Sequence, residues 1–236
     1  MNINAIFHCY KTNFPKAKEL GFSHVEISLE QYGWDFDKMI GAFNEAHSLQ
    51  LHSIVNLKDM KYEFFNGYTK CPECVLLWDD ANLDEKEPIS SIKEKLAYLK
   101  KETSMKTMIT ISYIRSFRGF ENVADLAAPY IYSPHSDIWR RWKHTLKLKC
   151  FMRKSKSKLI ALCPIGLEMK LVDKKRIPHV WSNDVIEMWK KFDWWMGFKP
   201  EGWAWYSWSG DGGSRNFSNL LERPDLMRVI KEQNEK

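Results

Sequence analysis

The sequence predicts an α/β protein folded as one (β/α)8, or TIM, barrel spanning residues 1–236. Three observations carry that expectation. Short apolar segments alternate with helix-patterned segments eight times, which implies parallel βαβ units. One apolar run, Val75-Leu76-Leu77-Trp78, stops abruptly at two carboxylates, Asp79 and Asp80. Adjacent acids are costly in a core but not at a barrel rim, where strand C-termini open onto solvent and ligand. Finally, neither GxGxxG nor GxxxxGK[ST] occurs, so a doubly wound nucleotide-binding sheet loses its main support.

The elements follow in order. Residues 4–10 read as the first strand, with His8 near its end. Residues 14–20 read as a short helix, with Pro15 in its first turn and Gly21 as its stop. Residues 22–29 alternate Val25, Ile27 and Leu29 and form the second strand. Residues 35–50 place Phe36, Met39, Ile40, Phe43 and Leu49 at helical spacing. Residues 51–57 supply the third strand, and the aromatic stretch 61–70 shows no full-length helix. The fourth strand is the run that ends at Asp79 and Asp80. Residues 89–101 form an amphipathic helix with Ile92, Leu96 and Leu99 on one stripe. Ser90 or Ser91 is its expected cap, and Glu94 would complete a capping box with Ser91.

Residues 107–113 give the fifth strand and Tyr130-Ile131-Tyr132 the sixth, just before Pro134. Residues 137–152 make a basic helix. The seventh strand lies within residues 159–169. A Trp-rich helix over 183–196, with Ser182 or Asn183 as cap, leads into the eighth strand at 202–208. Residues 225–233 close the chain as a helix. The third and fifth helical links have the weakest patterns.

Composition narrows the function classes. Hydrophobic residues make up 44% of the chain, which argues against disorder. Eleven Trp suit either sugar platforms or core filling. The net charge of +6 is mild, and much of the excess falls between Arg140 and Lys158. That cluster reads as a solvated helix face or as a patch for an anionic polymer. Nucleic acid is not the expected partner, since the basic helix interleaves no aromatics beyond Trp139 and Trp142. Five cysteines (Cys9, Cys71, Cys74, Cys150, Cys163) do not form a disulfide framework. Cys71-Pro-Glu-Cys74 is a lone CxxC that precedes a strand, which suits neither a zinc ribbon nor a thioredoxin-like site. No signal peptide or membrane-length apolar run is visible, so the expected location is the cytoplasm as synthesised. Oligomeric state is not readable.

Taken together, these segments resemble the glycoside-hydrolase-like (β/α)8 barrels. In many members strand 4 ends in Asp-Glu-Pro or Asn-Glu-Pro after a hydrophobic-Trp run. Leu77-Trp78-Asp79-Asp80-Ala81 stands at that place, with Asp80 at the position of the acid/base Glu and Ala81 at that of the Pro. Gly166-Leu167-Glu168 matches the strand 7 nucleophile motif at Glu168. Trp203-Ala204-Trp205-Tyr206-Ser207-Trp208 matches the Trp-bearing strand 8. The resemblance implies a carbohydrate substrate and a two-carboxylate cleavage, with Asp80 as acid/base and Glu168 as nucleophile. Asp79 would raise the proton affinity of Asp80 through like charge, unless strand alternation turns one of the pair away. His8, Tyr130, Tyr132, His135, Trp205 and Trp208 are the candidate substrate-lining residues. Packing is the competing role for the aromatics, and Trp203 and Trp205 should share one strand face.

Two other readings stay open. Asp in place of Glu and Ala in place of Pro suit a carbohydrate-binding barrel without turnover. Glu19-Leu20-Gly21-Phe22-Ser23-His24-Val25-Glu26-Ile27 resembles the opening of xylose-isomerase-type metal barrels. Its candidate ligands would be His52, Asp80, His135 and Glu168, although His52 falls at the wrong end of its strand. The main reading expects no metal and no cofactor.

Overall fold

A computed structural model describes residues 3–57, 73–81, 87–112, 117–130, 138–164, 167–172, 175–180, 197, 199–206, 220 and 224–235. The expected segments 61–70 and 183–196, and the residues Tyr132, His135 and Trp208, lie outside these.

Eight parallel strands close into a barrel. They are β1 (Ile3–Ile6), β2 (His24–Ile27), β3 (His52–Asn56), β4 (Val75–Trp78), β5 (Lys106–Ser112), β6 (Leu126–Tyr130), β7 (Lys158–Pro164) and β10 (Gly202–Tyr206). Their order around the barrel is β1-β10-β7-β6-β5-β4-β3-β2. The remaining strands, β8 (Leu167–Val172) and β9 (Lys175–Val180), pair antiparallel as a separate two-stranded sheet. Five α-helices occur among the described residues: α1 (Phe14–Glu19), α2 (Phe36–Ser48), α3 (Ile89–Thr103), α4 (Ile138–Lys154) and α5 (Pro224–Asn234).

Strand parity divides the core into two layers. Inside the barrel, Ile3, Ala5, Phe7, Ile54, Val75, Leu77, Met108, Leu126, Ala128, Ile160, Leu162 and Ala204 pack together. Small residues (Ala5, Ala128, Ala204) sit among large ones, so the interior is filled rather than open. The alternate residues, such as Val25, Ile27, Leu76, Trp78, Ile109 and Ile111, face the helices and pack on Met39, Ile92 and Leu96. Closure between β1 and β10 depends on a glycine. A Cβ on Gly202 would stand 2.1 Å from the Ile3 carbonyl oxygen.

Pro15 lies in the first turn of α1, as expected, and Asp35 caps α2 by accepting from the Lys38 amide. The α3 cap differs. Its N-cap is Pro88, and the Ser91 hydroxyl reaches back to the Glu87 carboxylate instead of closing a capping box.

Two strands differ from expectation. The sixth strand, Leu126–Tyr130, begins before the expected start at residue 130, because Met108 to Ser112 of β5 pair in register with Leu126 to Tyr130. The seventh ends at Pro164. The apolar run that continues through Leu167, Met169 and Leu171 belongs to the β8–β9 hairpin, whose period-2 pattern is indistinguishable from a longer barrel strand until its partner is known.

Candidate active site at the barrel mouth

The C-terminal ends of six adjacent strands gather polar side chains. Thr110 on β5 organises the end of β4. Its hydroxyl donates to Asp79 Oδ1 at 2.5 Å and accepts from the Asp80 amide at 2.6 Å. Its carbonyl accepts from the Ala81 amide at 3.0 Å. Three hydrogen bonds from one residue hold a turn of two acids, and Asp80 adopts a left-handed backbone, φ +46°. Asp is among the few residues that accept that conformation, at a cost its surroundings must offset. By parity with Val75 and Leu77, Asp79 faces the barrel axis, and both acids are half-buried.

The second focus is Glu26 on β2, which sequence reasoning did not assign to the site. Val25 and Ile27 pack outward, so Glu26 points inward, where it is 2% exposed. One carboxylate oxygen accepts from the His8 amide at 3.1 Å and stands 3.9 Å from His8 Nε2. The other accepts from Asn56 Nδ2 at 3.1 Å. Burial pushes its pKa above the ordinary value, and the negative charge of Asp79 adds to the rise. The only signal for Glu26 in the sequence is the acid between two outward-facing β-branched residues.

His8 stands just past β1, also left-handed at φ +54°, and is half-buried. Its ring packs edge-on against Tyr206 at 4.9 Å. Tyr206 ends β10 and rests on the interior cluster. Burial holds its phenol protonated well beyond neutral pH, reinforced by Asp79, Glu26, Asp80 and Glu30. Asn56 and Tyr206 are likewise new to the site.

The remaining expected residues fall differently. Trp205 is fully buried in the layer between barrel and helices, stacked on Trp203 with centroids 6.2 Å apart. The shared face of the two tryptophans is as expected, but it is the packing face, so Trp205 does not line the mouth. Tyr130 ends β6, opposite Ser112 in register. Glu168 lies in β8, opposite His179 of β9, beyond the end of β7 and not on it. His52 lies at the start of β3, the opposite end from the mouth, with its ring 5.2 Å from that of His24 and Nδ1 3.3 Å from Glu73. Among the described residues, no group of three or more His, Cys, Asp or Glu is arranged to hold a metal ion, and no helix is long and apolar enough to cross a membrane.

These features define a (β/α)8 barrel with an acidic, hydrogen-bonded mouth. No protein-family model and no curated protein matches the chain. Solved structures do. A glycoside hydrolase-like protein aligns over 98% of this chain and 94% of its own, at 8% identity and TM-score 0.59. A xylanase-A-amylase inhibitor protein aligns over 99% of both, at 9% identity and TM-score 0.59. A glycoside hydrolase family 17 beta-1,3-glucanosyltransferase from Rhizomucor miehei aligns over 87% of this chain and 86% of its own, at 9% identity and TM-score 0.54. Aldolases and a citrate synthase variant share the architecture as well. The likeness is one of fold, that of glycoside-hydrolase-like and related barrels.

Proposed function

We propose that the chain acts on a carbohydrate and cleaves a glycosidic bond at the barrel mouth. The observation that carries this reading is the Asp79-Asp80 turn, held at the end of β4 by the hydroxyl and carbonyl of Thr110. Strain at a polar position that neighbours over-determine is a mark of functional sites. Cleavage needs one carboxyl group to protonate the leaving oxygen and another to attack the anomeric carbon or activate water. In this proposal Asp80 is the acid/base and Glu168, from the β8–β9 hairpin, the nucleophile. Asp79, fixed by Thr110, holds negative charge beside the developing oxocarbenium ion. His8 and Tyr206 offer hydrogen bonds to sugar hydroxyls, and Tyr130, Tyr132 and Trp208 supply apolar walls. Glu26 is too buried to touch substrate and acts by holding His8 and Asn56.

A second reading is sugar binding without turnover. It draws support from the Asp-for-Glu and Ala-for-Pro changes at the end of β4, and from the similarity to an inhibitor protein of matching length. A panel of aryl glycosides and oligosaccharides, assayed for release and for binding with the wild type and Asp80→Asn, separates the two. Turnover lost in Asp80→Asn supports the hydrolase. Binding without release by either protein supports the second reading.

A further inference from the structure

Among the described residues, no helix stands between α3 and α4 in the outer layer. Residues 117–125, the described part of the β5–β6 connection, are turns and bends where an eightfold barrel would place a helix. The turn packs against both neighbours. A Cβ on Gly119 would stand 3.0 Å from Ile89 Cδ1 of α3, and Phe117 meets Phe151 of α4 edge-on at 5.8 Å. Along α4 lies a groove of about 400 Å³.

Its floor is apolar, formed by Phe117 and Phe151, with Leu146 46% exposed at the side. Its rim is cationic. Lys147 and Lys154 are seven residues apart, hence on one face of α4, and Arg118 lines the groove from the turn. Against these three cations the lining holds one acid, Glu121, whose carboxylate accepts from the Gly119 amide at 2.7 Å. The rim therefore selects an anion, and the floor selects an apolar body.

We infer that this groove binds a small amphipathic anion, with its apolar part over Phe117, Phe151 and Leu146 and its charged head within reach of Lys147 and Lys154. The volume lies at the low end of small-molecule sites, roughly 300–1,000 Å³, too small for a macromolecular partner. The site is independent of the mouth and of the proposed hydrolysis. It gives the basic α4 segment a role beyond solvation.

Cys150 is an exposed thiol in the same groove, whereas Cys9, Cys74 and Cys163 are buried. With Cys71→Ser as background, the rate at which neutral iodoacetamide labels Cys150 reports occupancy. Octanoate should slow labelling saturably, and 1-octanol, lacking the charge, should require roughly tenfold more for the same protection. Lys147→Glu with Lys154→Glu, both surface changes, should abolish the octanoate effect while leaving the melting temperature unchanged. The inference is overturned if octanoate gives no protection, if octanol protects equally, or if the double variant is protected as well as the wild type. The octanol comparison needs no variant at Lys147 or Lys154, so it decides the matter even if the double variant fails to fold.

Discussion

The hydroxyl of Thr110 on β5 donates to the carboxylate of Asp79 at the end of β4, at 2.5 Å. The same oxygen accepts from the next amide, that of Asp80, at 2.6 Å. One side chain thus aims one acid into the barrel and holds the backbone of the other in a left-handed turn.

Thr110→Val keeps the shape and removes both bonds. Thr110 is fully buried, so the unmet Asp80 amide and Asp79 carboxylate should cost about 2 kcal/mol of stability, read by urea denaturation. Thr110→Ser should recover most of that loss. If the Val and Ser variants are equally stable, the hydroxyl does not hold the turn.

Glu26 makes stability depend on pH. Its folded pKa is raised above 4.5, chiefly by burial. The folded state therefore keeps a proton that the unfolded state releases, and the resulting stabilisation is full below 4.5 and lost as pH rises toward the folded value. Glu26→Gln should flatten that decline in a series of denaturation curves taken upward from pH 4.5. A decline of the same slope in the variant would assign the effect elsewhere.

His24 acts in the opposite sense at the other end of the barrel. Its Nε2 meets the Glu73 carbonyl at 3.1 Å, so that nitrogen donates and Nδ1 accepts, 2.8 Å from the Ser23 hydroxyl. Burial lowers its pKa from 6.5 to about 4. Below 6.5 the unfolded chain takes up a proton that the folded chain refuses, so stability falls as pH drops toward about 4. A shift of that size corresponds to a loss on the order of 3 kcal/mol. His24→Gln should abolish this acid slope, and an unchanged slope would contradict the assignment.

Barrel closure should fail on addition of one methyl group. Gly202→Ala places a carbon against backbone, 2.1 Å from the Ile3 oxygen, where no side chain can move aside. We expect a loss of roughly 3 kcal/mol or more, seen as a lowered melting temperature. The neighbouring Ala204→Gly change, which adds nothing, should cost less.

The eight strands were legible because Val, Ile and Leu runs flanked by helix-patterned segments have few other ways to bury both faces. The acids at 79 and 80 were legible because charges after such a run need a rim. Glu26 was not singled out, although the outward parity of Val25 and Ile27 pointed it inward, because a buried carboxylate is recognised only with its donors, and the His8 amide and Asn56 come from other strands. Trp205 misled for a related reason. Parity paired it with Trp203, but Ala204 and Tyr206 are apolar too, so the pattern left open which face meets the helices. The β8–β9 hairpin was hidden inside a run that reads as one strand, and Glu168 moved with it.

The most direct test of the central claim is the turnover of aryl glycosides by the wild type and by Asp80→Asn. Asn tolerates the left-handed backbone, so the variant should fold with an unchanged melting temperature. Loss of the acid/base should then lower turnover by about a hundredfold or more. Equal turnover by both proteins would contradict the assignment of the chemistry to the end of β4.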